Sequence, residues 1–191
     1  MSTEILKEQI LSYSDFSNDE LDLIVSKFVH KSYRQKEFFL KEGKIASEIT
    51  FIVSGLVRSF YMRDGNEITT YLASDHGFIS AYSSFITQTK SIESIQCIED
   101  SETLSISREQ MEKLYVELPK WQIIGRILAE HNYICMADRL MRLQSIPAKE
   151  KYMEFLSTSS KKIVERTPLI HVASFLGITP ESLSRIRRTI S

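Results

Sequence analysis

The sequence predicts an α+β fold in which an antiparallel β-roll is flanked by helices. Residues 33–107 are rich in β-branched and aromatic residues, whereas the segments before and after them have apolar residues at helical spacing. A hairpin signature, "RDGN" at residues 63–66, joins two of the apolar runs. These observations predict the order helix pair, roll, long helix and C-terminal helices.

The first 29 residues predict two short helices. "STEILKEQIL" leads into "SNDELDLIVSKF", where Ser17 or Asn18 can cap the second helix. The apolar face of that helix contains Leu21, Ile24, Val25 and Phe28.

The strands of the roll are short and closely spaced. "ITFIVSGLVRSFYM" and "EITTYLAS" flank the Asp-Gly turn, and "SIESIQCIED" and "ETLSIS" predict two further strands. Short strands at this spacing are typical of an antiparallel barrel or roll.

The chain after residue 107 is predicted to be helical. "REQMEKLYVEL" ends at Pro119, and residues 120–146 form a candidate helix of 26 or 27 residues that ends before Pro147. "PAKEKYMEFLSTS" predicts another helix, and the polar residues 159–168 predict a connection without regular structure.

The long helix carries two apolar faces, which require two partners. One is a heptad seam of Ile124, Ile127, His131, Ile134, Asp138 and Met141. The other contains Ile123, Leu128, Cys135 and Leu140. We expect one face to cover the roll and the seam to meet a second copy in a homodimer, with His131 and Asp138 setting its register. The alternative is a helix buried on both sides within one monomer.

Charge is concentrated at the end of the chain. Residues 161–191 contain six basic and two acidic residues, a net charge of +4, whereas the other 160 residues contain 18 basic and 23 acidic residues, a net charge of −5. This asymmetry predicts that a polyanion binds at the C-terminal end. A solvated basic helix is the alternative.

The N-terminus has no secretory signal pattern and the longest apolar run is too short to cross a membrane. Cys97 and Cys135 lie outside any CxxC spacing, and the four histidines show no metal-ligand spacing. The sequence therefore predicts a soluble, cytoplasmic protein with no membrane partner, no metal site and no expected cofactor.

The segment "LIHVASFLGITPESLSRIRR", residues 169–188, meets the demands of a helix-turn-helix. Ala173 is the small residue where the helices cross, and Gly177 can take the positive φ of the turn. The inner apolar positions are Val172, Leu176, Ile178, Leu183 and Ile186.

The second helix of this segment has polar chemistry on its outer face. Thr179 is a suitable N-cap, Pro180 fits the first helical position, and arginine and glutamate can bind guanine and cytosine edges. The predicted DNA-binding residues are Thr179, Glu181, Ser182, Ser184, Arg185, Arg187 and Arg188. A plain αα-hairpin is the alternative.

With these motifs, the sequence resembles the Crp/Fnr family of bacterial transcription regulators over nearly its whole length. "FIVSGLVR" and "DGNE" are similar to the family's roll turns, and "LGITPESLSRIRR" is similar to its recognition segment. The resemblance implies a cyclic-nucleotide-binding-like roll (a double-stranded β-helix) at residues 1–118, a dimerisation helix at 119–146 and a DNA-binding domain at 147–191. It implies double-stranded DNA, a second copy of the chain and RNA polymerase as partners.

The resemblance is weakest at the effector pocket. Cyclic-nucleotide binders of the family carry a Gly-Glu pair and a later arginine, where this sequence has Ser80, Ala81 and Ser91. Lys90 lies one residue from the arginine position, and Glu93 adds a negative charge. The candidate pocket residues are Ser80, Ala81, Tyr82, Lys90, Ser91 and Ile92. We therefore expect that cyclic AMP is not the effector, and a different small effector or none remains open.

The sequence ends at Ser191 without the β-hairpin wing that follows the motif in the family. Contacts to phosphates are therefore expected from Lys161, Lys162, Arg187 and Arg188 or from neighbouring loops. The leading hypothesis is a homodimeric transcription regulator that reads a pseudo-palindrome. The alternative is a cyclic-nucleotide or metabolite-binding module without specific DNA binding. No GxSxG, P-loop or HExxH motif is present, which argues against an enzyme.

Overall fold

The computed structural model describes residues 2–190, without the side chains of residues 143 and 144. The helices are α1 (Ser2–Leu11), α2 (Asn18–Ser26), α3 (Tyr82–Thr87), α4 (Arg108–Glu117), α5 (Gln122–Ser145), α6 (Ala148–Thr158), α7 (Lys161–Arg166), α8 (Leu169–Leu176) and α9 (Pro180–Ile190). The strands are β1 (Val29–Tyr33), β2 (Phe38–Leu40), β3 (Glu48–Ser54), β4 (Leu56–Arg63), β5 (Asn66–Ser74), β6 (Phe78–Ile79), β7 (Ser94–Cys97) and β8 (Ser101–Ser107).

The strands form two antiparallel sheets, with the orders β1-β8-β3-β6 and β2-β7-β4-β5. Strands β4 and β5 pair from Leu56 with Ser74 to Arg63 with Asn66. Asp64 and Gly65 between them both have positive φ, as a tight hairpin turn requires. The predicted α+β roll with flanking helices is confirmed.

Gly55 is the point where the chain passes from the first sheet to the second. Its φ is +139°, and a Cβ atom at this position would collide with the side chain of Ser101. Only glycine fits this bend without displacing β8, so the turn in "FIVSGLVR" that the family resemblance implies has a steric origin.

The N-terminal helices pack against the roll. Ser17 caps α2: its side chain accepts a hydrogen bond from Glu20 N, while Glu20 accepts one from Ser17 N at 2.7 Å. Leu21, Ile24 and Phe28 are buried in the main core. The predicted cap and apolar face are therefore confirmed.

The main core fills the roll and extends to the start of α5. Trp121, the single tryptophan of the sequence, is buried in a 3₁₀ turn (Pro119–Trp121) that leads into α5. Phe51, Leu114 and Ile124 are buried in the same core. The roll thus anchors the first turn of the long helix.

A second core lies on the outer surface of the roll. Leu56, Leu72 and Ile98 from the roll pack with apolar residues of the C-terminal helices. These are Tyr152, Phe155, Val172, Ala173, Leu176 and Leu183. The C-terminal helices therefore share their core with the roll.

The prediction that residues 159–168 form an irregular connection was wrong. Residues Lys161–Arg166 form α7, and the Ser160 side chain caps it by accepting from Ile163 N. Ile163 and Val164 pack against the second core. Tertiary packing stabilises this short helix, because a helix of this length is not stable by itself.

No helix in residues 2–190 is both long and apolar enough to cross a membrane.

Candidate functional site

Helices α8 and α9 form a pair joined by a tight turn. Gly177 ends α8 in the left-handed conformation, with φ 65°, and its N–H bonds to carbonyls of the last turn. Ala173 is fully buried where the helices meet, and Leu183 of α9 is buried beside it. The predicted inner positions are therefore inside the pair, with Ile178 and Ile186 partly buried at its edge.

Thr179 caps α9. Its hydroxyl oxygen accepts a hydrogen bond from Ser182 N at 3.2 Å and the hydroxyl lies 3.3 Å from Ser182 Oγ. The backbone N–H of Glu181, and then the Thr179 hydroxyl, lower the pKa of the exposed Glu181 carboxyl. The first turn of α9 thus presents a carboxylate that can accept hydrogen bonds.

The outer surface of α9 is polar and exposed. Glu181, Ser184, Arg185, Arg187 and Arg188 are exposed, whereas Ser182 is half-buried beside the cap. Within residues 2–190, Arg185 and Arg188 make no ion pair. We call Glu181, Ser184, Arg185 and Arg188 the α9 face.

Helix α8 is tied to the roll through a buried arginine. Arg58 on β4 is 3% exposed. One guanidinium nitrogen lies 3.0 Å from His171 Nδ1 on α8, and the other donates to Glu67 and Gln96 at 2.6 and 2.9 Å. Burial, and then the Arg58 charge, lower the pKa of His171.

The edge strand β5 is bound by side chains of α8 and α5. Ser174 Oγ accepts from Thr69 N and donates to Glu67 O, both at 2.9 Å. Arg139 of α5 donates to Thr69 O and to Phe175 O, both at 2.8 Å. These bonds satisfy backbone groups that an edge strand would otherwise leave without a partner.

A cavity of about 220 Å³ lies beside these bonds, between α5, α6 and α8, and we call it the second cavity.

The two lysines of α7 have different environments. Lys161 is exposed and lies 3.8 Å from Glu165. Lys162 donates to Asp75 Oδ1 of the roll at 2.6 Å and lies 4.0 Å from Glu99. The phosphate contacts of both lysines stay predictions, and at Lys162 such a contact has to compete with the ion pair to Asp75.

A cavity of about 240 Å³ lies between the roll and α5. We call it the roll cavity. Its lining includes Thr70 and Tyr71 of β5, Glu93 before β7, and His131 of α5. Thr70 Oγ1 donates to Glu93 Oε1 at 2.7 Å. Burial raises the pKa of Tyr71 to about 12, so its phenol keeps its proton at neutral pH.

Of the six predicted pocket residues, Ser80 and Tyr82 line the roll cavity. Ala81 is buried and occupies the N-cap position of α3 without a side-chain hydrogen bond. The Ser91 hydroxyl bonds to the backbone N and O of Glu93 and so closes a local turn. Lys90 and Ile92 are exposed and do not line the cavity, which corrects their assignment to the pocket.

The predicted seam of α5 divides between two sides of the helix. Ile124 is 0% exposed in the main core, so it has no surface left for a partner chain and its place in the seam is corrected. His131 lines the roll cavity, and Asp138 lines the second cavity, 3.9 Å from Arg142. Ile127 is half-buried, and Ile134 and Met141 are exposed.

This arrangement of roll, long helix and C-terminal helix pair can be compared with known proteins. Residues 30–117 match the cyclic nucleotide-binding domain family. No curated protein matches the sequence.

Solved structures match far more of the chain than this family does. FixK2 of Bradyrhizobium japonicum has a TM-score of 0.75 at 18% identity, over 85% of this chain and 84% of FixK2. The c-di-GMP-responsive global regulator CLP of Xanthomonas campestris has 0.71 at 16% identity, over 91% of each chain. A protein described as a Crp/Fnr-family transcriptional regulator, from Eubacterium rectale, has 0.68 at 16% identity, over 92% and 83%. At these identities the likeness shows the fold.

The lining of the roll cavity does not match what a cyclic phosphate needs. Such an anion needs a guanidinium or ammonium group with convergent N–H donors. Among residues 2–190, the side chains that line the roll cavity include no lysine or arginine. Glu93 places a carboxylate there instead.

Several site residues were not singled out from the sequence. Tyr71 and Phe78 line the cavity together with Tyr13, which is far from them in the chain, and nothing in their spacing indicates this. Arg58 did carry a signal, because a charge within the apolar run "GLVRSFYM" is rare unless it has buried partners.

Proposed function

We propose that this chain is a transcription regulator that binds double-stranded DNA as a homodimer through α9. The α9 face carries the proposal: Glu181, Ser184, Arg185 and Arg188 lie on the side of α9 away from the buried Leu183. Arginine can bind guanine O6 and N7, and glutamate can accept from cytosine N4. The net charge of +4 on residues 161–191 favours approach to the phosphate backbone.

An exposed apolar surface on α5 supports the homodimer. Tyr133 is 74% exposed and Leu140, two turns later, is 59% exposed. Ile134, Met136 and Met141 flank them and are also exposed. Five large exposed apolar side chains on one helix are typical of a protein interface. A second copy of the chain, packed along the same surface of its own α5, would cover both surfaces around a two-fold axis.

In this proposal residues 1–118 sense a signal, residues 119–146 dimerise and residues 147–191 bind DNA. Two α9 helices about 34 Å apart then read the two halves of a pseudo-palindrome. The FixK2, CLP and Eubacterium rectale structures support the proposal through their shared fold. Contact with RNA polymerase and a cytoplasmic location stay predictions.

Selection of bound sequences from random duplex DNA, followed by fluorescence anisotropy at several salt concentrations, tests this function. We expect an inverted repeat whose affinity falls steeply with salt, because phosphate contacts release counterions. Arg185→Ala is expected to reduce discrimination at one base pair by about 1–3 kcal/mol, and Arg188→Ala to weaken all sequences evenly. Arg34→Ala, an exposed arginine of the roll, is the matched control.

Failure to enrich an inverted repeat, together with affinity that does not depend on salt, would contradict the proposal. The chain would then be a ligand-binding module whose C-terminal helix pair packs on the roll and does not bind DNA.

A further inference from the structure

The roll cavity has a charge that is opposite to what a phosphate ligand needs. Within the described part of the chain, Glu93 supplies its one carboxylate, and lysine and arginine are absent from the lining. The Thr70 hydroxyl donates a hydrogen bond to Glu93 Oε1, and no residue of the range 2–190 bonds to the second carboxylate oxygen. One oxygen of Glu93 is therefore available to a ligand.

Four aromatic rings line the same cavity as this carboxylate. Tyr13, Tyr71, Phe78 and Tyr82 line the same cavity and come from four different segments of the chain. Burial raises the pKa values of Tyr71 and Tyr82, so their rings carry neutral phenols. Neutral aromatic faces attract a cation through their quadrupole, and a nearby carboxylate adds direct charge attraction.

The guanidinium of Arg139 does not occupy the ligand position beside Glu93. Arg139 interacts electrostatically with Glu93. Its guanidinium, however, donates to the carbonyl oxygens of Thr69 and Phe175 and lies over the Phe175 ring, 4.7 Å from the centroid. Arg139 lines the second cavity and not the roll cavity.

We propose that the roll cavity binds a small organic cation that carries an ammonium group, with Glu93 as its counter-ion and the tyrosine and phenylalanine rings around it. The inference rests on the proposed function, in which residues 1–118 sense a signal, and it names the chemical class of the small molecule that carries this signal. The volume of about 240 Å³ limits the ligand to a compact molecule, below the size of most bound drugs.

Isothermal titration calorimetry on the full chain tests this proposal with named probes. The cations are choline, tetramethylammonium, n-butylammonium and 1,4-diaminobutane. The neutral isostere of choline, 3,3-dimethylbutan-1-ol, and cyclic AMP are the comparison ligands. We expect at least one cation to bind with one site per chain, and choline to bind roughly tenfold or more tightly than its neutral isostere.

A matched pair of variants locates the site. Glu93→Gln keeps the shape of the side chain and an acceptor for Thr70, and is expected to weaken cation binding roughly tenfold or more. Glu150→Gln removes an exposed carboxylate of α6 and is expected to leave binding unchanged. Trp121 fluorescence shows whether each variant is folded, since that side chain is buried in the main core.

The proposal is overturned if no cation binds the unmodified protein, if cyclic AMP binds more tightly than every cation, or if Glu93→Gln binds as tightly as the unmodified chain. The comparison of choline with its isostere needs no variant, so a poorly folded Glu93→Gln would not remove the test. DNA binding is measured separately. Loss of cation binding with intact inverted-repeat binding would refute this inference alone, and the reverse result would refute the proposed DNA function alone.

Discussion

The core inside the roll and the core beneath the C-terminal helices are both well buried, but they differ in what they join. The first contains residues of the roll, of α1, α2 and α4, and of the start of α5. The second contains Leu56, Leu72 and Ile98 from the roll and the inner residues of α6, α8 and α9. The roll therefore closes its own core, whereas the C-terminal helices need the roll to complete theirs.

Strands β4 and β5 take part in both the roll cavity and the second core. Strands β4 and β5 contribute Ser59, Thr70 and Tyr71 to the roll cavity and also Leu56 and Leu72 to the second core. The same two strands hold α8 through Arg58 and Thr69. In the proposed regulator, a ligand that moves β5 would therefore alter the contacts that hold α8, the helix that packs against α9.

The largest expected effect comes from Leu56→Ala. Leu56 is fully buried and belongs to β4, although it packs in the second core. The cavity that its removal leaves is expected to cost about 2–5 kcal/mol in the free energy of unfolding. We expect it to weaken both the roll, measured by Trp121 fluorescence in urea, and the helix pair, measured by amide hydrogen exchange of α8 and α9.

Leu183→Ala deletes the same atoms from the helix side of that core and is the matched comparison. Its expected result is faster amide exchange in α9, with little change in the urea midpoint that Trp121 reports. Equal loss in both measurements would show that the two regions unfold as one unit, contrary to the asymmetry between the two cores.

A smaller effect is expected from Ser174→Ala. The hydroxyl bonds to Thr69 N and Glu67 O of the edge strand, and its removal leaves both backbone groups without that partner. We expect a loss of about 1 kcal/mol, seen as faster amide exchange of Thr69 and of α8. Ser184→Ala, an exposed serine of α9, should leave these rates unchanged. If the amide exchange of Thr69 is unchanged in Ser174→Ala, the Ser174 hydroxyl does not help to hold α8 on the edge strand.

The smallest effect concerns pH. Burial and Arg58 lower the pKa of His171, while Glu67 opposes them. The folded chain thus favours the neutral imidazole, and this contribution to stability is complete above the ordinary pKa of about 6.5. It is lost as the pH falls from there through the lowered folded value. Urea midpoints followed by circular dichroism should therefore fall on acidification.

His171→Gln is expected to reduce this dependence of stability on pH. The control is His30→Gln, which removes an exposed histidine paired with Glu102. This control is expected to retain the part of the pH dependence that comes from His171. If His171→Gln and the unmodified chain lose the same stability between about pH 8 and 5, the imidazole does not sense protonation at this contact.

Much of the local structure could be predicted from the sequence. The Ser17 cap, the Asp64-Gly65 turn and Gly177 were predicted because each depends on residues within a few positions of one another. Helix α7 was missed, since packing of Ile163 and Val164 stabilises it and its own propensity is weak. Lys90 was assigned to the pocket because it lies beside the family's arginine position, whereas in the structure it is exposed and pairs with Ile45 in an isolated β-bridge.

The sequence by itself determined the periodicities, caps, turns and charge asymmetry of this protein, because these are properties of short stretches of chain. It thereby determined the succession of helix pair, roll, long helix and C-terminal helices, and the outer chemistry of α9. Only the tertiary structure decided that Glu93 and four aromatic rings share one cavity, that Ile124 faces inward and Tyr133 outward, and that His171 meets Arg58. These contacts join residues far apart in the chain, and side-chain packing in three dimensions selects them where local propensity cannot.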